Sequence, residues 1–189
     1  MSTDAAKPSR REQILTAAAE KFARAGFHGV GIDDIGAAVG ISGPALYRHF
    51  RSKDAMLAEL LTGISDRLLF GGKDRVDAAS DPQEALERLV RWHVEFALRN
   101  PALITVHMRD LDSLSDRDRR RVRESQRLYV EVWVQTLVDA RPELDRPRAR
   151  AAVHAVFGLI NSTPFSAHLD TSAMSRLLRD MAHGAITAI

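Results

Sequence analysis

The 189-residue chain contains no cysteine, which removes disulfides, thiolate nucleophiles and Cys-ligated zinc together and fits a reducing compartment. Glycine and proline are sparse, at 11 and 7 residues, so collagen-like and low-complexity disordered organisations are excluded. No apolar run approaches the roughly 18 residues that a membrane span requires. The polar stretch 1–11 lacks the apolar segment of a secretory signal, so a cytoplasmic location and no membrane partner are expected. Segments that alternate apolar and polar residues with β-branched enrichment are also missing, and with them any sign of a sheet. What is present is ordinary globular composition, 45% hydrophobic and 28% charged, on a chain long enough for one large domain or two small ones.

Lysine and arginine outnumber aspartate and glutamate only 27 to 25, a net charge of +2. Residues 1–54 hold Lys7, Arg10, Arg11, Lys21, Arg24, Arg48, Arg51 and Lys53 against six acids. Any nucleic-acid face must therefore come from where charges sit, not from their sum.

Apolar residues recur at helical spacing throughout, and the chain reads as all-α with about nine helices. Ser9 and Glu12 form a capping box for a first helix carrying Ile14, Leu15, Ala18 and Phe22, which Gly26 stops. A short second helix spans 32–39, with Asp33 and Asp34 in its first turn and Gly40 behind it. Pro44 suits the first turn of a third helix over 44–50. Ser52 caps a fourth helix with the stripe Met56, Leu57, Leu60, Leu61, Ile64 and Leu68, which Gly71 and Gly72 should weaken. Asp81 with Pro82 opens a fifth helix that ends before Pro101, and a sixth follows to about Leu111. Ser115 with Asp118 caps a long helix to about Ala140; the last two cover 147–161 and 172–187.

Two short helices around a glycine turn make the first three a homeodomain-like helix-turn-helix candidate, here placed at 1–51, with a helical body at 52–189. The stretch ISGPALYRHFRSK, residues 41–53, is the most informative. A helix that enters a major groove must be slim at its N-terminal end, and Ser42, Gly43, Pro44 and Ala45 are all small. Tyr47, Arg48, His49 and Lys53 supply donors for phosphates, while Leu46 and Phe50 point back toward Ile35 and Val39.

At these residues the sequence resembles the TetR family of bacterial transcriptional regulators. Ile35, Gly40, Ser42, Leu46, Tyr47, His49, Phe50, Lys53 and Leu57 stand at the family's spacing, after a first helix with Phe22 and Gly26. The resemblance implies a homodimer that binds a palindromic double-stranded DNA operator and is released by a ligand. Tyr47, His49 and Lys53 would grip phosphates, while Ser42, Gly43, Pro44, Ala45 and Arg48 face the groove and Gly31 and Ile32 stand at the start of the second helix. Gly31 departs from the family's usual Thr or Ser, leaving only a backbone amide for a phosphate. Ala45 replaces a residue that is often polar, which leaves apolar contact with a thymine methyl from Ala45 or Pro44 as one means of readout.

Ligand candidates on or near the apolar stripes of the body are His93, Phe96, His107, Tyr129, Trp133, Phe157 and Asn161. Each can equally be core, since aromatic residues at helical spacing usually pack. Arg117, Arg119, Arg120, Arg121, Arg123 and Arg127 begin the long helix among Asp116, Asp118 and Glu124. They read as a solvated face with pairs such as Asp116 to Arg120, or as an anion site. The string Gln126, Arg127, Tyr129, Trp133 resembles family members that respond to acyl-coenzyme A, which implies a small hydrophobic or amphipathic effector such as an acyl-coenzyme A or a fatty acid. The last two helices, with small Ala151, Ala152, Ala155, Gly158, Ala182 and Ala185, are the expected homodimer surface. No metal site, cofactor or catalytic residue is expected: no H-E-x-x-H, G-x-S-x-G or Walker loop is present, and Gly26, Gly29 and Gly31 follow a helix instead of a strand. A helical ligand-binding protein without DNA binding is the main rival reading.

Overall fold

The computed structural model describes residues 8–166 and 168–189; Lys7 and the start of the polar stretch lie outside the described residues. Among these there is no strand, and ten α-helical segments follow in order. They are α1 (Arg10–Ala25), α2 (Ile32–Ala38), α3 (Gly43–Leu46), α4 (Lys53–Asp77), α5 (Pro82–Arg99), α6 (Pro101–Asp110), α7 (Asp116–Ala140), α8 (Arg146–Ile160), α9 (Thr163–Ser166) and α10 (Thr171–Thr187). The nine expected helices are all found; the four-residue α9 was not anticipated, having neither a cap signal nor an apolar stripe. A 3-10 turn, Leu111–Ser113, joins α6 to α7.

Helix starts are written in local chemistry. Ser9 accepts from the Glu12 amide while the Glu12 carboxylate takes the Ser9 amide. Ser52, Asp81 and Ser115 cap α4, α5 and α7 by accepting the backbone amide three residues on, each cap contributing about 1 kcal/mol. Gly26 ends α1 with φ 79° and ψ 155°, a backbone region that is open essentially to glycine alone.

The expected weakening of α4 at Gly71 and Gly72 does not occur, for the helix runs unbroken through both. A Cβ on Gly72 would stand 2.6 Å from the Tyr129 ring, and one on Gly71 would enter the Trp92 indole. Glycine in mid-helix costs about 1 kcal/mol each, and here it lets α5 and α7 lie directly against the α4 backbone. The helix α4 is thus the shared wall of the molecule, packed on α1, α5, α6 and α7. One apolar core continues along it, from Phe22, Leu46 and Leu57 in the N-terminal part to Trp133, Ile160 and Leu178 in the body.

Candidate nucleic-acid interface and ligand cavity

The helices α2 and α3 meet at a pair of glycines. Gly36 lies under the connecting turn, where a Cβ would come 2.7 Å from the Ile41 carbonyl oxygen, and the Ile41 amide donates to the Gly36 carbonyl at 2.9 Å. Gly40 takes φ 71° to reverse the chain. Helix α3 is shorter than expected: it is α-helical over four residues, and Arg48 and His49 then donate to Ala45 and Leu46 carbonyls in a tighter turn. Leu46 and Phe50 are buried, as their spacing from Ile35 required.

From this frame Ser42, Pro44, Tyr47 and Arg48 stand exposed, Tyr47 at 55%, so its ring is not part of the head's core. Ala45, His49 and Ile32 are half-buried, Ile32 leaning on the core. Gly43 is buried against Asp33 and Ile32; it serves the α2–α3 crossing and does not face outward with its neighbours. The Gly31 amide donates to Asp34 Oδ2 at 2.8 Å, so the backbone donor expected for a phosphate already has a carboxylate partner.

Lys53 also differs from expectation. Its ammonium donates to the Phe27 and Val30 carbonyls, both at 2.8 Å, and lies 4.5 Å from the Phe27 ring centroid. It closes the α1–α2 loop onto α4, and a phosphate grip would require it to leave three partners. Lys53→Met is therefore expected to lower stability by about 2 kcal/mol while leaving the salt dependence of DNA affinity unchanged. A log–log salt slope reduced by about one would instead return Lys53 to the phosphates. Arg11, not singled out by sequence reasoning, plays a similar internal part: it pairs with Glu59, donates to the His49 carbonyl and covers the Phe50 ring at 4.1 Å.

In the body, α4, α5, α6, α7 and α8 enclose a cavity of about 400 Å³. Of the seven candidates, His93, His107, Tyr129, Phe157 and Asn161 line it. Phe96 and Trp133 do not; both are buried in the core, Phe96 against Trp92 and Trp133 edge-on to Phe157 at 5.1 Å between centroids. Helical spacing alone could not separate these two sets, because both lie on inward faces. Arg123, Arg127, Arg150 and His154 form the exposed side, and no acid is among the lining residues. The arginines at the start of α7 are largely paired: Arg119 with Asp116, one position earlier than the expected Arg120, Arg121 with Asp66 at 2.9 Å and Arg127 with Glu124 at 2.8 Å. Among the described residues no cluster suited to a metal ion is found, and no helix is long and apolar enough to cross a membrane.

His93 is wholly buried, and burial pushes its ring from the usual 6.5 down to about 4, a hydrogen bond to Asn161 opposing the shift. The unfolded chain thus binds the proton first, so stability is full above about pH 6.5 and is lost as the pH falls toward 4. His107, lowered by burial as well, acts in the same direction. Urea unfolding between pH 7 and 5 should show a loss of about 2 kcal/mol that His93→Gln reduces; an equal loss in that variant would remove His93 as its source.

Two walls of the cavity end on the head. Ile64, Ser65 and Leu68 belong to α4, which begins immediately after the α3 turn. Ile104 and His107 belong to α6, whose last residues grip the end of α1. Arg109 donates to the Phe22 and Ala23 carbonyls and pairs with Asp110 at 3.2 Å, and Asp110 accepts from the Phe27 amide at 3.5 Å. The helices α4 and α6 thus touch both the cavity and the head.

A helix-turn-helix head joined through one continuous helix to a cavity-bearing helical body is the architecture of a DNA-binding transcriptional regulator. Residues 14–60 match the family model described as bacterial regulatory proteins, tetR family, and residues 79–165 match the tetracyclin repressor-like C-terminal domain. The transcriptional repressor KstR2 of Mycobacterium tuberculosis is 31% identical over 144 residues, 72% of each chain, and its solved structure superimposes with TM-score 0.77 and 25% identity over 97% of this chain and 96% of that one. A TetR-family regulator from Bordetella parapertussis gives TM-score 0.82 and 26% identity, covering 93% and 95%. AibR, in a complex with isovaleryl coenzyme A and operator DNA, shares the fold with TM-score 0.75 at 19% identity, over 92% and 97%. The chain belongs to the TetR family and is a DNA-binding transcriptional regulator.

Proposed function

We propose that the protein is a homodimeric, cytoplasmic repressor, with a head at 1–51 and a body at 52–189, that leaves a palindromic operator when an amphipathic anion fills the cavity. The observation that carries this is the shared wall: α4 and α6 each line the cavity and each also contact the head. Ser42, Pro44, Ala45, Tyr47, Arg48 and His49 are the proposed contacts with DNA. The class of effector is suggested by a lining that sets Ile64, Leu68, Ile104, Val130 and Phe157 beside Arg123, Arg127 and Arg150, each arginine now paired with an acid that an anion would have to displace; this suits an acyl-coenzyme A or a fatty acid. AibR, of the same fold, was solved with a short acyl-coenzyme A.

Dimerisation is assigned to α8 and α10. Ala151, Ala155 and Gly158 are exposed on α8, and Leu177 and Met181 on α10 are 43% and 48% exposed. Ala152 and Ala182, expected in the same surface, are buried within the protomer. A two-fold dimer would have to hold its heads about 34 Å apart, or a multiple of it, to enter successive major grooves. A tenfold preference of the effector for the wider state weakens DNA binding by only about 1.4 kcal/mol, so effective release needs a larger one. No catalytic role is assigned to any residue.

A gel shift on the DNA upstream of its own gene, with calorimetry on palmitoyl-coenzyme A and palmitate, tests the reading. Specific binding by a dimer, reversed by the thioester or the acid, is the expected result. No DNA binding would leave the helical ligand-binding protein as the better account, and a shift that neither compound reverses would overturn the effector class.

A further inference from the structure

Two aspartates stand in the first turn of α2, and they are used differently. The Asp34 carboxylate accepts the Gly31 amide at 2.8 Å and so closes the start of its own helix. Asp33 is exposed and has no hydrogen-bond or ion-pair partner among the described residues. Its carboxylate instead lies across Gly43, the first residue of α3, where a Cβ would stand 2.2 Å from Asp33 Oδ1 and 3.3 Å from its Cγ. The Asp33 oxygen thus occupies the place where a side chain of α3 would begin. Gly43 is buried beneath it, while the chain neighbours Ser42 and Pro44 are exposed.

By itself the tip of α3 is poor in groups that tell bases apart. Gly43 has no side chain, Pro44 and Ala45 are apolar and suit a thymine methyl, and the Ser42 hydroxyl, which accepts the Ala45 amide at 3.4 Å, serves several bases. None of the four picks out cytosine. A carboxylate does, because it only accepts. In the major groove cytosine N4 donates to it, guanine O6 and N7 and thymine O4 oppose it with lone pairs, and adenine sets its N7 lone pair beside the N6 donor.

We propose that Asp33, although carried on α2, is a specificity-determining residue of the DNA interface: laid over Gly43, it stands in for the missing side chain of α3 and accepts a hydrogen bond from cytosine N4 at one base pair of each half-site. This rests on the placement of α3 in the major groove proposed above. Discrimination works in both directions, since a cytosine supplies the hydrogen and a guanine or thymine in its place turns acceptors toward a desolvated carboxylate. The absence of a Cβ at residue 43 is the condition for the arrangement, so Gly43 shapes base readout as well as the α2–α3 crossing.

Selection of binding sequences from a randomised duplex by the full-length protein, followed by fluorescence anisotropy on the selected operator with each base pair changed in turn, tests this. The wild type should show one position per half-site at which cytosine binds at least about tenfold more tightly than guanine or thymine. Asp33→Ala should bring that position to within about threefold while preferences elsewhere are kept, and Asp33→Asn should move it toward adenine, whose N6 and N7 fit an amide. Gly43→Ala keeps the charge but drives the carboxylate aside, and should flatten the same position. Should Gly43→Ala fail to fold, the two Asp33 variants decide. A profile that Asp33→Ala leaves unchanged, or an affinity it alters equally for every sequence as loss of a helix-dipole contribution would, overturns the proposal; α3 keeps its place in the groove if Arg48→Ala still weakens binding. Selection of no preferred sequence removes that placement and this proposal with it.

Discussion

Gly36→Val is expected to abolish operator binding while leaving ligand binding in the body intact. The position sits under the turn between α2 and α3, and any Cβ there meets the Ile41 carbonyl oxygen at 2.7 Å, with Ser42 and Gly43 backbone close behind. Backbone cannot yield as a flexible side chain does, so α3 must lift away from α2, at a cost of about 2 kcal/mol or more. Tyr47 and Arg48 then lose their placement on the slim end of the head. Fluorescence anisotropy on labelled DNA, set beside calorimetry with palmitoyl-coenzyme A, separates the two functions. Wild-type DNA affinity in the variant would mean that the crossing of α2 and α3 is looser than its contacts imply.

Arg109→Met should have the second-largest effect, on stability and on the response to effector. Arg109 is the only partner described for the buried Asp110 carboxylate apart from the Phe27 amide, and it also satisfies the exposed carbonyls at the end of α1. Its own side chain is 42% exposed, so water offsets part of the loss, and about 2 kcal/mol is expected instead of the roughly 3–5 of a fully buried pair. Neutralising the stranded acid in Arg109→Met/Asp110→Asn should recover part of it. Because this contact ties α6 to the head, the single variant should also blunt effector-induced release from DNA. Release at the wild-type effector concentration, in a protein as stable as the wild type, would show that α4 alone carries the signal.

The parts of the fold that could be read from the sequence are those written in short-range chemistry. Ser9 with Glu12, Ser52, Asp81 and Ser115 mark their helix starts because a cap needs only the next three residues. What could not be read depends on partners far along the chain. Lys53 looks like a free cation until Phe27 and Val30 are folded beneath it, and Gly71 and Gly72 look like breaks until Trp92 and Tyr129 arrive from other helices. Phe96 and Phe157 occupy equivalent places in their apolar stripes, yet one packs and the other faces the cavity, since the void is set by how five helices diverge. The same limit applies to Arg11, whose partners Glu59 and Phe50 lie 48 and 39 positions away. Of the residues expected to face the groove, Ser42, Pro44, Tyr47 and Arg48 are exposed, but Gly43 is buried against Asp33 and Ile32, neighbours that the pattern of residues 42–48 does not show.

The chain has two tryptophans, and their surroundings could hardly differ more. Trp92 is half-buried, with Arg75 stacked at 4.0 Å over its ring and its N–H directed to the Leu68 carbonyl. Trp133 is wholly buried, edge-on to the rings of Tyr129 and Phe157. Light emission from an indole responds to just these conditions, so Trp92→Phe would leave a single chromophore beside the cavity, and its spectrum would record the arrival of an effector without any attached label.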